Sequence, residues 1–328
     1  MLRIGGRVGR GATEVDMRVC SDEQVAEALD VDAAIRSQRL AFEWLGRGEV
    51  QLAEKVALRT GDDTTLCYLS RLSPAHGAVS KLVAVHPGNA EEGLPAISAT
   101  VLVLDAVTGR TVAVMAATAL TELRTAAGSA VAADALALPS ADELAVIGSG
   151  VQARAHVRAI ARVRRLREVR IFSRDPRRRE SAAAELSAEL GLAVRAVGSA
   201  AEAVRSAPVV VTCTLSAQPV VPTDRIEAGA TVLSVGSFEP HRREVDELLV
   251  RRAGAVVVDD VATAASHAGP VVHALERGDI TRDGLRSLGE VLLGRAPGRT
   301  RDDQVVFFNS VGLGVQDAAA AHAVLGTL

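Results

Sequence analysis

The stretch Glu143-Leu-Ala-Val-Ile-Gly-Ser-Gly-Val-Gln-Ala-Arg-Ala-His156 decides how the rest of the chain is read. Leu144–Ile147 is a short apolar run, the pattern of a strand buried on both faces. Gly148 and Gly150 follow at once, Ala153 fills the third place of a G-x-G-x-x-G/A pattern, and a helix is predicted from Val151 to Val163. The order of strand, glycine turn and helix lifts an otherwise weak motif. The glycines permit a tight turn and a close backbone approach, and the free N–H groups opening the helix then face a pyrophosphate. Gly148, Gly150, Val151 and Gln152 are therefore candidate coenzyme contacts. The competing reading is a tight turn with no ligand.

On the C-terminal side, strands are predicted at Glu168–Phe172, Ala193–Val197, Val209–Val211, Thr231–Val235 and Ala255–Val258, with a helix from Pro176 to Leu190. Such alternation implies a doubly wound parallel sheet of Rossmann type. On the N-terminal side, Met17–Cys20 reads as a short strand. Ser21 and Gln24 form a capping box that opens a helix to Leu29, and a second helix runs from Val31 to Gly46. Strands at Val56–Thr60, Thr64–Leu69, Ala78–Val85, Ile97–Leu104 and Thr111–Met115 are separated by turn signals. They form an antiparallel sheet in a separate α+β block. An alanine-rich helix, Thr121–Leu138, carries Arg124. The last piece holds a strand (Val305–Phe308), the turn Asn309–Gly314 and a second alanine-rich helix, expected to return to the first block. The expected organisation is a flexible extension at residues 1–16, a discontinuous substrate domain at 17–120 and 306–328, and a dinucleotide-binding domain at 121–305.

Of 328 residues, 48% are hydrophobic, enough for a substantial core, and a net charge of −3 argues against a general nucleic-acid binder. No apolar run approaches the ~20 residues of a membrane span and no signal peptide is visible. Cys20, Cys67 and Cys213 are scattered without C-x-x-C, which fits a reducing cytoplasm rather than a disulfide framework or zinc site. His241, His267, His273 and His322 show no metal spacing. His86 is a loop histidine of low priority, and His156 reads as packing. Basic residues total 37, yet Lys55 and Lys81 are the only lysines. A lysine kept in so arginine-rich a chain points to a need for a compact ammonium. Lys81 lies within the alternating strand Ala78–Val85, where an unpaired ammonium is costly to bury.

An NAD-selective site usually ends its second strand with Asp or Glu, to bind the ribose 2′-hydroxyl. Here that end reads Ile171-Phe-Ser-Arg-Asp-Pro-Arg-Arg-Arg179, with Ser173 at the acid's place. Ser173, Arg174 and Arg178 suit a 2′-phosphate by hydrogen bond and ion pair, which favours NADP(H). Asp175 swinging in would instead serve NAD(H), and a solvated arginine cluster is the reading without a ligand.

In order along the chain stand Lys81-Leu-Val, His86-Pro-Gly-Asn89, Gly93-Leu-Pro, Leu123-Arg-Thr-Ala-Ala127, Gly148-Ser-Gly-Val-Gln-Ala153, Arg243-Glu-Val-Asp246 and Ser310-Val-Gly-Leu313. Together they resemble the ornithine cyclodeaminase/mu-crystallin family from about Met17 onward. The resemblance implies a homodimer joined sheet to sheet through its first domains, and an active site between the domains of each chain. Its members include cyclodeaminases, alanine dehydrogenases, and ketimine and cyclic-imine reductases, so it specifies the coenzyme class better than the substrate. By position, Lys81 matches the strand lysine at the substrate and Arg124 the arginine that grips the substrate carboxylate. A surface arginine paired with Glu122 or Asp134 is the plainer reading of Arg124. Lys55 stands where the family has a carboxylate-binding arginine in Pro-x-Arg, although here the triplet is Ala53-Glu-Lys55. Thr125, Gln152, Thr214, Ser237 and Ser310 are expected at the coenzyme, and Asp317 recurs with Ser310 in the closing motif.

Two departures bear on the reaction. Cyclodeaminases resemble one another in an aspartate after Val-Gly-Gly; here Ser234-Val-Gly-Ser-Phe-Glu-Pro240 puts Phe238 there, and phenylalanine can neither take a proton nor pair with an ammonium. Glu239, next to it, would compensate if the loop turned. Ala96 stands where ornithine cyclodeaminases carry threonine. Both departures favour reduction of a C=N bond beside a carboxylate, acting on an imino, amino or keto acid. Ammonia-releasing cyclodeamination and non-catalytic dinucleotide binding remain as alternatives.

Overall fold

The strand pattern of the first block builds a sheet with one buried apolar face. The structure, a computed structural model, describes residues 17–94 and 97–328. The extension assigned to residues 1–16 and the departure at Ala96 lie outside the described residues. The chain divides into two compact units, one taking it to Arg124 together with Leu313–Leu328 and the other Thr125–Gly312. The first cut falls inside a helix.

The first unit contains, in chain order, β1 (Arg18–Cys20), α1 (Asp22–Ala28), α2 (Val31–Arg47), β2 (Gln51–Leu52), β3 (Val56–Thr60), β4 (Asp63–Arg71), β5 (Val79–Val85), β6 (Ile97–Leu104), β7 (Thr111–Ala116) and the start of α3 (Thr118–Leu136). Its seven strands follow the order β1-β7-β6-β5-β4-β2, with β3 on β4. All pairings are antiparallel except β1 with β7. Leu66, Val79, Val83, Val101, Val103 and Met115 alternate onto the buried face, as period two requires. The Ser21 and Gln24 capping box opens α1 as expected. The second helix does not stop at Gly46 as expected; it runs to Arg47, because the left-handed residue that ends it is Gly48, at φ 74°.

The second unit continues with β8 (Glu143–Ile147), α4 (Val151–Val163), β9 (Glu168–Phe172), α5 (Pro176–Leu190), β10 (Ala193–Ala196), α6 (Ala200–Val204), β11 (Val209–Thr212), β12 (Thr231–Ser234), α7 (Glu247–Arg252), β13 (Ala255–Val258), α8 (Val261–His267), α9 (Gly269–Glu276), β14 (Leu285–Ser287), α10 (Leu288–Leu292) and β15 (Val306–Asn309). The closing helix, α11 (Gly314–Leu325), belongs to the first unit, where it packs on α2, β4 and β5. The eight strands are parallel, in the order β10-β9-β8-β11-β12-β15-β13-β14. β8, β11, β12 and β15 are the central strands and are buried on both faces, as a sheet covered by helices demands.

The strand near residue 306, expected in the first domain together with the helix that follows it, lies in the other sheet. It pairs instead with β12 and β13 in the parallel sheet. Val306-Phe-Phe-Asn309 is completely buried, and a mid-sheet slot is where so apolar a strand finds neighbours on both edges.

Candidate functional site

In the first unit the site begins with a lysine on the wrong face for a charge. Val79, Lys81 and Val83 share the inner face of β5, and Lys81 is 1% exposed. Tyr68 is its register partner on β4, and its ammonium lies 4.8 Å from the Tyr68 ring centre. What compensates the charge comes from the far end of the chain. A Cβ on Gly314 would come within 3.2 Å of Ser70 Oγ, so glycine lets the first turn of α11 lie close on β4. One turn later Asp317, also 1% exposed, accepts a 2.7 Å hydrogen bond from Lys81 Nζ through Oδ1.

Arg124, on α3, joins the same carboxylate. Its Nε is 3.0 Å from Asp317 Oδ1, close enough for an ion pair although not aligned as a hydrogen bond. Its Nη1 reaches Gln316 Oε1 at 3.4 Å. Gln316 is held by the Leu313 N–H on that oxygen and by Gln38, whose Nε2 donates to the Gln316 carbonyl. Burial pulls Lys81 down to about 8, opposed by Asp317, with Arg124 adding to the fall. Near neutrality the trio is thus two cations on one carboxylate, a buried net positive charge, and Asp317 Oδ2 has no hydrogen-bond partner. The reading of Arg124 as a surface arginine fails, since it is 7% exposed. Lys55 is half-buried in the link between β2 and β3.

In the second unit the glycine turn closes β8 as predicted. Gly148 has φ 127°, and a Cβ there would lie 2.6 Å from the Cys213 carbonyl oxygen. The turn is therefore pressed against the segment leaving β11, across the point where the strand order reverses. Gly150 is the N-cap of α4, makes no side-chain cap, and would meet nothing within 4 Å if it bore a Cβ. These features fit a dinucleotide: open space over Gly150 and helix N–H groups that no side chain caps. Val151 is exposed at the start of α4, and Gln152 Oε1 is buried without a donor.

At the end of β9, Ser173 Oγ lies 2.8 Å from Ser149 Oγ, which ties the second strand to the glycine turn. Asp175 caps α5, accepting from the N–H groups of Arg177 and Arg178. Arg179 turns inward to the Ser173 carbonyl and the Phe172 ring, whereas Arg174 and Arg178 are exposed.

Further along the carboxyl edge, Thr214 and Ser237 meet around Glu244, and Ser310 meets Asp259. Asp259 Oδ2 accepts from the N–H groups of Val311 and Gly312 and lies 3.3 Å from Ser310 Oγ. Burial raises this carboxyl to about 6 despite those bonds. Thr125 is half-buried on α3. Glu239, the possible substitute for the missing aspartate, is paired with Arg242 at 2.8 Å, and the Arg242 guanidinium lies over the Phe238 ring at 5.0 Å.

Asp317 as a partner of Lys81, and Gln316, Glu244, Asp259 and Asn309, were missed as site residues. An acid inside the alanine-rich run Gly314–Leu325, and an acid between arginine and valine in Arg243-Glu-Val-Asp246, were the available signals.

Residues 14–327 match the profile of the ornithine cyclodeaminase/mu-crystallin family. The chain is 32% identical over 314 residues to the iminosuccinate reductase of Paracoccus denitrificans, covering 94% of this chain and 96% of that one. The Thermococcus litoralis Δ1-pyrroline-2-carboxylate reductase in complex with NADH and L-proline superposes with a TM-score of 0.91 at 28% identity, covering 95% of this chain and 97% of that one. An archaeal alanine dehydrogenase dimer with bound NAD gives 0.87 at 31% identity, over 95% of each. With this match across nearly its whole length, the chain belongs to the ornithine cyclodeaminase/mu-crystallin family.

Proposed function

We propose that this protein is an NAD(P)H-dependent oxidoreductase that reduces a C=N bond next to a carboxylate. The observation that carries the reading is the buried trio of Lys81, Arg124 and Asp317, two cations on one acid. A buried surplus of positive charge calls for an anion, and a guanidinium with a neighbouring ammonium suits a carboxylate. The relatives named for imine reduction, and the NADH and NAD bound in two of the solved neighbours, support the same chemistry.

Bound NAD(P)H supplies hydride to the imine carbon. Arg124 orients the substrate carboxylate, which aligns the adjacent carbon. Lys81 delivers a proton to the imine nitrogen, and its value of about 8 keeps it protonated yet able to give the proton up near neutral pH. Asp317 holds the ammonium in place. Gly148, Gly150, Val151 and Gln152 take the pyrophosphate side of the coenzyme, and Thr125, Thr214, Ser237 and Ser310 line the rest of its path. Lys55 adds a further positive charge at the carboxylate. Reduction is favoured over deamination because Phe238 offers no base and Glu239 is engaged by Arg242.

NADP(H) is the preferred coenzyme in this reading. Ser173, Arg174 and Arg178 receive the 2′-phosphate, and Asp175 is occupied in capping α5. The chain acts as a homodimer through the outer face of the antiparallel sheet. Free thiols at Cys20, Cys67 and Cys213 suit the cytoplasm, where we place it. Among the described residues no helix is long and apolar enough to cross a membrane.

The test is a panel of cyclic imines, and of keto acids with amines, followed by NADPH oxidation. Turnover on a carboxylate-bearing imine, lost in Lys81→Ala and Arg124→Ala, is the expected result. Ammonia release from ornithine or lysine without added coenzyme overturns it, and a clear preference for NADH overturns the coenzyme assignment.

A further inference from the structure

Glu244 lies in the coil between β12 and α7 and is completely buried. Its carboxylate is wrapped by neutral donors from the ends of two strands and the loops that leave them. Oε1 accepts the Thr214 N–H at 2.6 Å and the Thr214 hydroxyl at 2.8 Å. Oε2 accepts the Gly236 N–H at 2.7 Å and the Thr212 hydroxyl at 2.7 Å, with the Ser234 hydroxyl at 3.0 Å. The Glu244 backbone adds to the lock: its N–H donates to Ser237 Oγ, and its carbonyl accepts from Val220 and Val221. Removing a carboxylate from water costs several kcal/mol, so a buried acid is a poor device for stability unless its geometry is needed.

The two loops are those that leave β11 and β12 at the carboxyl edge. They are in close contact: a Cβ on Gly236 would lie 1.7 Å from the Thr214 carbonyl oxygen. The first of them also touches the glycine turn, through the Cys213 carbonyl beneath Gly148. On the other side, Asn309 at the end of β15 donates to the Ser237 carbonyl at 3.4 Å, and its Oδ1 is buried with no donor. A continuous line of contacts thus runs from the turn after β8 to the end of β15. In a doubly wound sheet the β8-β9-β10 half serves the adenosine end of a dinucleotide, and the β11-β12-β15 half serves the other mononucleotide.

We propose that Glu244 is a positioning residue that sets the nicotinamide half of the coenzyme crevice by locking the loops after β11 and β12 together. The inference rests on the coenzyme reading above and adds to it a division of labour. The glycine turn and the end of β9 grip the adenosine diphosphate portion without help from Glu244. The nicotinamide portion needs the loops that Glu244 holds. Glutamine at this position keeps the volume but turns one acceptor oxygen into an NH2 group facing donors, so the loops must part.

The experiment compares two ligands on the full chain, NADPH and adenosine 2′,5′-bisphosphate, by calorimetry, with a thermal melt of each protein. For Glu244→Gln the affinity for NADPH is expected to fall by about tenfold to a hundredfold, from buried donors left unpaired, while that for the bisphosphate changes by less than about twofold. Thr212→Val, which deletes one hydroxyl at nearly constant shape, is expected to act in the same direction by about threefold to tenfold. A lowered melting temperature with the NADPH-to-bisphosphate affinity ratio unchanged indicates a structural role and overturns the proposal. So does a Glu244→Gln protein that binds both ligands like the parent. If Glu244→Gln does not fold, the affinity ratio in Thr212→Val decides. A parent protein that binds neither ligand refutes the coenzyme reading, and this inference with it; a parent that binds both isolates the failure to Glu244.

Discussion

Lys81 shows how one buried charge organises a site. Desolvation lowers its affinity for a proton, and Asp317 restores part of it. The ammonium is the proton donor in the proposed reduction, so kcat/KM should fall as pH rises through about 8. Asp317→Asn removes the group that raises the lysine's value. The alkaline limb should then move to lower pH, and turnover should drop by about tenfold or more, which pH–rate profiles of both proteins would reveal. An unmoved limb would separate Lys81 from the proton transfer. His156 makes the opposite point, since its chemistry is structural. It is completely buried, with Nδ1 2.7 Å from the Gln152 carbonyl and Nε2 2.9 Å from Ser129 Oγ. Burial lowers its imidazole to about 4. The unfolded chain takes up this proton near pH 6.5 and the folded chain does not, so stability should fall as pH drops from about 6.5 towards 4, by up to about 3 kcal/mol. Urea unfolding at pH 7.5 and pH 5 measures the slope. In His156→Gln, which cannot titrate, this contribution should vanish.

The glycine turn and α4 separate two reasons for a glycine. Gly148 is required by the fold: its φ of 127° and the Cys213 carbonyl 2.6 Å from a would-be Cβ leave no room for alanine. Gly150, at φ −79°, has nothing within 4 Å of that position. Alanine at 148 should cost about 2 kcal/mol or more in stability. Alanine at 150 should leave stability within about 1 kcal/mol yet weaken NADPH binding by about tenfold or more, because in the proposed coenzyme site its methyl takes the open space next to the pyrophosphate. Thermal melts and calorimetry on the two variants distinguish these outcomes; equal NADPH affinity for Gly150→Ala and the parent would remove the ligand from this turn. α11 carries a related lesson. Gln316 and Asp317, which meet Arg124 and Lys81, occupy adjacent positions in an alanine-rich helix that packs against β4 and β5.

For the molecule as a whole, the outer face of the antiparallel sheet is the feature that an isolated chain leaves unexplained. Val56, Leu58, Leu69 and Leu82 stand on that face and are 47% to 69% exposed. A contiguous apolar face on a sheet is a surface for association, and one structural neighbour is a dimer. A second copy of this chain is the expected occupant. Leu58→Glu combined with Leu82→Glu should convert the proposed dimer to a monomer in sedimentation velocity. A double variant that sediments like the parent would place the dimer contact elsewhere.

Much of this protein is legible in its sequence alone. Periodicity and turn residues located the glycine turn, the parallel and antiparallel sheets, and Lys81 on its strand, because those patterns depend on neighbours a few residues apart. Helix ends were less legible where two glycines compete, as Gly46 and Gly48 do. The grouping of Val306–Asn309 with the parallel sheet, the meeting of Lys81 with Asp317, and the wrapping of Glu244 by two loops were settled only in three dimensions. Spacing along the chain carries no record of which distant carboxylate will neutralise a buried ammonium, since that partner is chosen by how α11 packs on β4 and β5.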